Sequence, residues 1–250
     1  MKKYIILLYI TLSASFCLAQ TKTEIGIKAG LSIPNLTSGS SANPVSNGYT
    51  SRLDGDAAIH AEFHIGKSFS IQPQLEYSSQ GGKKNGMQAF TPPDEILQQF
   101  PAGQAPTYLY AEYKSIAKIN YLMLPVLAKY YFNLKKKWGA YFAGGPFISY
   151  LLNAKNITKG SSIVYLDPKK TQPLSSQMLS FDSKDNVTSD LHRFNAGISG
   201  HLGVDYKVAG GSLFIEAGGN YGFIDIQKNN LDGKNKTGAA VINLGYQFKL

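Results

Sequence analysis

His60-Ala61-Glu62-Phe63-His64 is the densest grouping of metal-ligating residue types in the chain. It is not the helical zinc-protease pattern, which needs a glutamate directly after the first histidine. On an extended strand the three side chains share one face, but His60 and His64 then stand roughly 13 Å apart at ~3.3 Å per residue. Gripping one ion would need help from another strand, so polar packing inside a fold is the expected role. Ser189-Asp190-Leu191-His192 offers the residue types of a nucleophile relay. Ser189 and His192 straddle the faces of an extended chain, however. One class of membrane lipid hydrolases carries His-x-Ser on a strand, and none of His60, His64, His192 or His201 has a serine two residues later. The glycines form neither GxxxxGK[ST] nor a strand-turn-helix GxGxxG, so no nucleotide loop is expected.

What remains is charge in unusual places. Lys28, His60, Glu62, His64, Glu76, Arg193, His201 and Glu216 all fall on the polar faces of stretches that alternate polar and apolar residues. A period of two marks a strand with two unlike faces. The stretches are 24–33, 55–65, 69–78, 116–132, 138–151, 191–206, 212–223 and 239–250. In the first, Ile25, Ile27, Ala29, Leu31 and Ile33 alternate with Glu24, Gly26, Lys28, Gly30 and Ser32. Pro73, in the middle of the third, is awkward, because proline removes a ladder donor.

The connections sort by length in strict alternation: 3, 5 and 5 residues against 21, 37, 39 and 15. Short turns at one end and long loops at the other are what a transmembrane barrel requires. The run Tyr121–Phe132 is no helical span, since only eight apolar residues, Pro125 among them, separate Asn120 from Lys129. A helix needs about 20, whereas a tilted strand crosses with about 9–11. Outward aromatics such as Tyr130, Phe132, Tyr206, Tyr221, Phe223, Tyr246 and Phe248 suit girdles at the two interfaces. The fold expected is all-β, an eight-stranded antiparallel up-and-down transmembrane β-barrel, with 24–33 closing on 239–250.

The N-terminus supplies the route. Lys2 and Lys3 precede the apolar run Tyr4–Leu12, and small residues lead to Cys17-Leu18-Ala19. Residues 1–19 read as a secretory signal peptide and 20–250 as the barrel domain. Cleavage after Ala19 removes the single cysteine and leaves no disulfide or cysteine-metal site. It also leaves 23 basic and 16 acidic residues, a mature net charge of +7. The lysines lie mainly in turns and loops, which suits solvated rims and anionic membrane surfaces rather than nucleic acid.

Several runs carry a family resemblance. Gly26-Ile-Lys-Ala-Gly-Leu31, Tyr121-Leu-Met-Leu-Pro-Val-Leu-Ala-Lys-Tyr130, Ala143-Gly-Gly-Pro-Phe147 and Gly245-Tyr-Gln-Phe248 resemble the opening, central and closing strands of the PorT-like outer-membrane β-barrel proteins of Bacteroidota-type bacteria. Met123 departs from the acidic residue that members often carry there. The resemblance implies an eight-stranded barrel similar to the OmpA and OmpX barrels. Its motifs specify fold rather than activity, and the founding member's role in secretion does not transfer.

Together these features anticipate a non-catalytic outer-membrane protein without a cofactor, monomeric, in contact with outer-membrane lipid. Its eight polar lumen residues would form a hydrogen-bonded ion network that plugs the interior, since unpaired burial is prohibitive. The alternatives are a small passive or gated pore and an outer-membrane lipid-modifying enzyme. The long loops, with Tyr108, Tyr110, Tyr113 and Lys114 beside a short helical pattern at Pro92–Phe100, are either a binding surface for a protein or surface ligand or simple mobile loop.

Overall fold

The computed structural model describes residues 22–38, 43–101, 103–133 and 136–250; the expected signal peptide lies outside the described residues. Eleven strands follow in order: β1 (Thr23–Ser38), β2 (Asp54–Ile65), β3 (Phe69–Phe90), β4 (Leu109–Asn133), β5 (Trp138–Lys159), β6 (Ser161–Ser162), β7 (Leu179–Ser180), β8 (Ser183–Asn186), β9 (Phe194–Val208), β10 (Gly211–Gly222) and β11 (Asn235–Lys249). Eight of them, β1–β5 and β9–β11, each pair antiparallel with two neighbours, and β1 pairs with β11 to close the ring. Among the described residues no helix is long and apolar enough to cross a membrane.

The register fixes the barrel's size and tilt. From Ile25, stepping across the ladders through Ala61, Pro73, Val126, Pro146, Ile198, Tyr221 and Gly238 returns to β1 at Asn35, ten residues higher. Eight strands with that stagger tilt by about 40° and enclose a space that side chains alone can fill. The turn end is tight: Gly66 and Gly210 take φ of +81° and +80° in the β2–β3 and β9–β10 turns. The second of these has only two residues, because pairing runs on to Val208↔Gly211. Pro73 does little harm, since the β2–β3 ladder is already interrupted between His60↔Gln74 and Phe63↔Ile71.

At the loop end the structure departs from the expectation of long irregular loops. β3 and β4 stay paired up to Phe90↔Leu109, β5 continues to Lys159, and β8 adds to β5. These extensions form an upright fin above the barrel, with a one-turn helix, Asp94–Leu97, at the β3–β4 connection. Above a bilayer neither face must be apolar, so the alternation fades from the sequence while the ladder persists.

The two faces of the wall are unlike. Outward, Ile27, Leu75, Ile148, Leu202 and Leu244 are exposed. Aromatic pairs gather near the turns (Tyr130–Phe142, 5.8 Å; Trp138–Tyr206, 4.9 Å; Tyr246–Phe248, 4.5 Å) and near the loops (Tyr150–Phe194, 5.3 Å; Tyr221–Phe223, 6.1 Å). Inward, the half nearer the turns is polar. The half nearer the loops carries an apolar cluster of Leu36, Ile119, Tyr121, Met123, Phe147, Leu151, Leu191 and Ile226, beside buried Ser32, Gln80, Asn195, Asn220 and Thr237. Large inward rings lie over glycines on the next strand: a Cβ on Gly203 would stand 2.2 Å from Tyr141 Cζ, and one on Gly26 2.3 Å from His60 Nε2.

That contact can be tested. Gly203→Val drives the Tyr141 ring off its strand, so refolded barrel in detergent should lose about 1–3 kcal/mol, read as a lower urea midpoint. Gly200→Ala should be near neutral, because its Cβ meets nothing closer than Ala143 O at 3.9 Å.

Candidate functional site

Every second residue of a barrel strand faces the lumen, and β2 thereby sends in Asp56, His60 and Glu62. Glu62, fully buried, is the hub of the lower network. Lys129 Nζ of β4 reaches its Oε2 at 2.9 Å and also donates to Gln72 Oε1 at 2.8 Å. Gln247 of β11 donates to Oε2 at 2.7 Å, while Tyr131 and Ser70 both donate to Oε1 at 2.5 Å. The Lys129 ammonium also lies 4.0 Å from the centre of the Tyr141 ring. One carboxylate is thus held by β2, β3, β4 and β11 together.

A second hub sits on β10. Lys28 Nζ of β1 donates to Glu216 Oε1 at 2.7 Å, and Tyr141 donates to Oε2 at 3.0 Å. Glu76 Oε2 lies 4.0 Å from the same ammonium. Asp56 accepts from Asn243 Nδ2 at 3.0 Å. His60 is buried without a hydrogen-bond partner and packs edge-on to Phe214, ring centres 5.8 Å apart. His64 stands at the mouth, 3.5 Å from Glu24 Oε2 and 3.8 Å from Glu62 Oε1. There a cavity of about 530 Å³ opens beneath Tyr131, Tyr141 and Gln247, rimmed by Lys22, Lys67, Lys207 and Lys249.

The structure therefore brings Lys28, Glu76, His201 and Glu216 into one cluster, puts Glu62 and His64 in another, and leaves His60 against the Phe214 ring. Arg193 requires a correction. It is exposed and donates to Leu151 O, because β9 begins only at Phe194 and the preceding bend turns the side chain out of the lumen. Sequence reasoning passed over Lys129, Tyr131, Tyr141 and Asp56. Lys129 and Tyr131 share the polar phase of β4, but aromatic residues occupy both faces of β4 and β5 and blur the alternation. Among the described residues no group of three or more His, Asp or Glu is arranged to hold a metal.

The nucleophile-relay types meet elsewhere than expected. The Ser189 hydroxyl donates to the adjoining Asp190 carboxylate, at 2.9 Å, while His192 is exposed. Instead Ser199 Oγ lies 2.9 Å from His201 Nε2, and His201 Nδ1 lies 3.6 Å from Glu216 Oε1. Ser-x-His on a strand, the reverse of the order considered in the sequence, puts both side chains in the lumen. The third link is too long for a hydrogen bond, and Lys28 and Tyr141 already hold the carboxylate. Ser199 is 2% exposed and thus buried.

The loop aromatics are structured. Tyr113 stacks on Phe181 with centres 4.7 Å apart, and Tyr110 pairs with Tyr165. They pack within the fin, where Tyr110 and Tyr113 each also line a surface hollow.

Lys129→Met strands the buried Glu62 carboxylate. Removing one partner of a buried pair costs about 3–5 kcal/mol, and the three neutral donors left on Glu62 place this case near 3. Adding Glu62→Gln should recover most of the loss, which a double-mutant cycle in urea will read.

A family model described as the outer membrane protein beta-barrel domain matches residues 18–228. Among curated proteins nothing matches. Of solved structures, the chain is similar to Ail, the attachment invasion locus protein of Yersinia pestis, solved with the heparin analogue sucrose octasulfate (11% identity, 91% of this chain and 99% of that one, TM-score 0.36). It is similar to Neisserial surface protein A (13%, 90% and 97%, TM-score 0.40). It is also similar to the outer membrane protease OmpT of Escherichia coli (10%, 92% and 97%, TM-score 0.31). With the family model spanning well over half of its length, this chain belongs to the outer membrane protein β-barrel domain family and resides in the outer membrane.

Proposed function

We propose that this barrel is a closed, non-catalytic monomer that anchors its fin at the cell surface for a structural or interaction role. The observation that carries this reading is the filled lumen. Below, Glu62 and Glu216 tie strands across the interior; above, Leu36, Ile119, Tyr121, Phe147, Leu151 and Leu191 shut it with apolar side chains. The polar groups of the upper half are engaged as well: Gln80 donates to Ser78 and Asn220, and Asn195 donates to Thr237. The quoted strand motifs further support a narrower place among the PorT-like barrels, and closure of the ring within one chain supports a monomer.

The lipid-modifying reading has one observation in its favour, the contact of Ser199 with His201. The long third link and the buried serine weigh against it.

Planar bilayers holding the purified barrel should show no steady single-channel current, and a stable conductance would reject the closed reading. Replacing Leu151 and Phe147 together by serine should instead permit intermittent current, because it wets the plug. Phospholipid hydrolysis by the wild type, abolished in Ser199→Ala, would overturn the non-catalytic role; equal null rates are expected.

A further inference from the structure

The outer face of the fin carries a ladder of lysines. On β4 the even positions face outward, as Leu124 does in the membrane. Leu122 is flanked by Tyr77 on β3 and Tyr150 on β5, a row of the upper girdle. Four residues further up, Lys118 stands directly opposite Lys155; four beyond that, Lys114 stands opposite Lys159. Lys83 and Lys184 flank the ladder on β3 and β8, paired with Ile116 and Ile157, which separate the two lysine rows.

Like charges directly opposite on neighbouring strands repel and destabilise the sheet. Two such pairs share this face, and among the described residues none of these six lysines makes an ion pair. The one carboxylate of β4 on the face, Glu112, is engaged by Lys170. Between Lys114 and Lys159 the surface hollows into a cavity of about 400 Å³, with Asn85, Ser161 and the Lys170-paired Glu112 on its walls.

Height identifies the occupant. Girdle tyrosines sit at headgroup level. Four residues of a strand tilted by about 40° rise roughly 10 Å, so the lower pair stands about 10 Å above the girdle, at the outer edge of the headgroup layer, and the upper pair about 10 Å higher still. An anion meeting both rows must belong to a lipid with a tall, charged head.

We infer that this face binds a phosphorylated glycolipid of the outer leaflet, its phosphates seated on the Lys118–Lys155 and Lys114–Lys159 pairs. Ile116 and Ile157 offer apolar ground between the rows, and Asn85 and Ser161 offer hydrogen bonds to sugar hydroxyls. The inference concerns the outer wall and is independent of whether the lumen conducts or reacts.

The test uses the folded full barrel in neutral detergent, titrated with bisphosphorylated lipid A, with its dephosphorylated form and with inorganic phosphate. The bisphosphorylated form should bind and raise the unfolding midpoint, with little effect from the other two. Lys118→Gln with Lys155→Gln should weaken binding about thirtyfold, at the contribution typical of two lysines at an anionic surface. Arginine at both positions should keep it. Without lipid, the same glutamine pair should unfold at higher urea than wild type, since the repulsion is gone. Heat-modifiable migration on a gel confirms that each variant is folded. Equal binding of the dephosphorylated lipid, or unchanged affinity in the glutamine variants of both pairs, would overturn the proposal. Stabilisation by millimolar phosphate matching that by the lipid would reassign the site to a free anion and end the lipid reading.

Discussion

The structure depends on one constraint: a backbone amide inside hydrocarbon finds no water, so every strand needs two neighbours. For seven of the eight joints the partner is the next strand in the ring along the chain. The last joint must come from the chain's two ends, and it does so along nearly the whole length of β1, from Glu24↔Lys249 to Ser38↔Asn235. Once that seam closes, the apolar side chains of all eight strands point outward together, and the polar ones have nowhere to go but inward.

What fills the interior then follows from its narrowness. A stagger of ten residues leaves no room for a water column beside large side chains, so each layer alternates bulk with absence. Tyr141 lies over Gly203, His60 over Gly26, and Phe214 over Gly245. Charge entering this space must be matched within it, which explains why Glu62 gathers four donor side chains and why Lys28 lies between Glu216 and Glu76. Nearer the loops an apolar cluster packs beside the hydrogen-bonded pairs Gln80–Asn220 and Asn195–Thr237.

The wall was legible in the sequence because a bilayer imposes a period of two on anything that crosses it. Ile25 to Ile33 and Phe69 to Ser78 display that rule almost without exception, and the short and long connections reveal which end is which. The lumen was legible only where a charged residue marked it. Lys28, Glu62 and Glu216 announced themselves, whereas Tyr131 and Tyr141 are aromatic in a stretch whose outward residues are aromatic too. Arg193 kept the phase of β9 without belonging to it, since periodicity cannot tell where a strand starts. The fin escaped notice for a physical reason: above the membrane the ladder of hydrogen bonds continues, but no solvent asymmetry writes it into the side chains.

The lumen network also answers a question that alternation leaves open. Slipping one strand by a single residue exchanges its two faces and is forbidden by the bilayer. Slipping by two residues preserves both faces, and the hydrophobic pattern does not object. The cross-lumen pairs do. Lys129 on β4 meets Glu62 on β2, past β3; Lys28 on β1 meets Glu216 on β10, past β11. A two-residue slip of any of these strands would strand a buried charge and drive a ring into a backbone that now lacks its glycine. Buried ion pairs contribute little net stability against apolar replacements of the same shape. Their work here is selection: among barrels with equally greasy walls, they leave one stagger in which Lys28 and Lys129 both find their carboxylates.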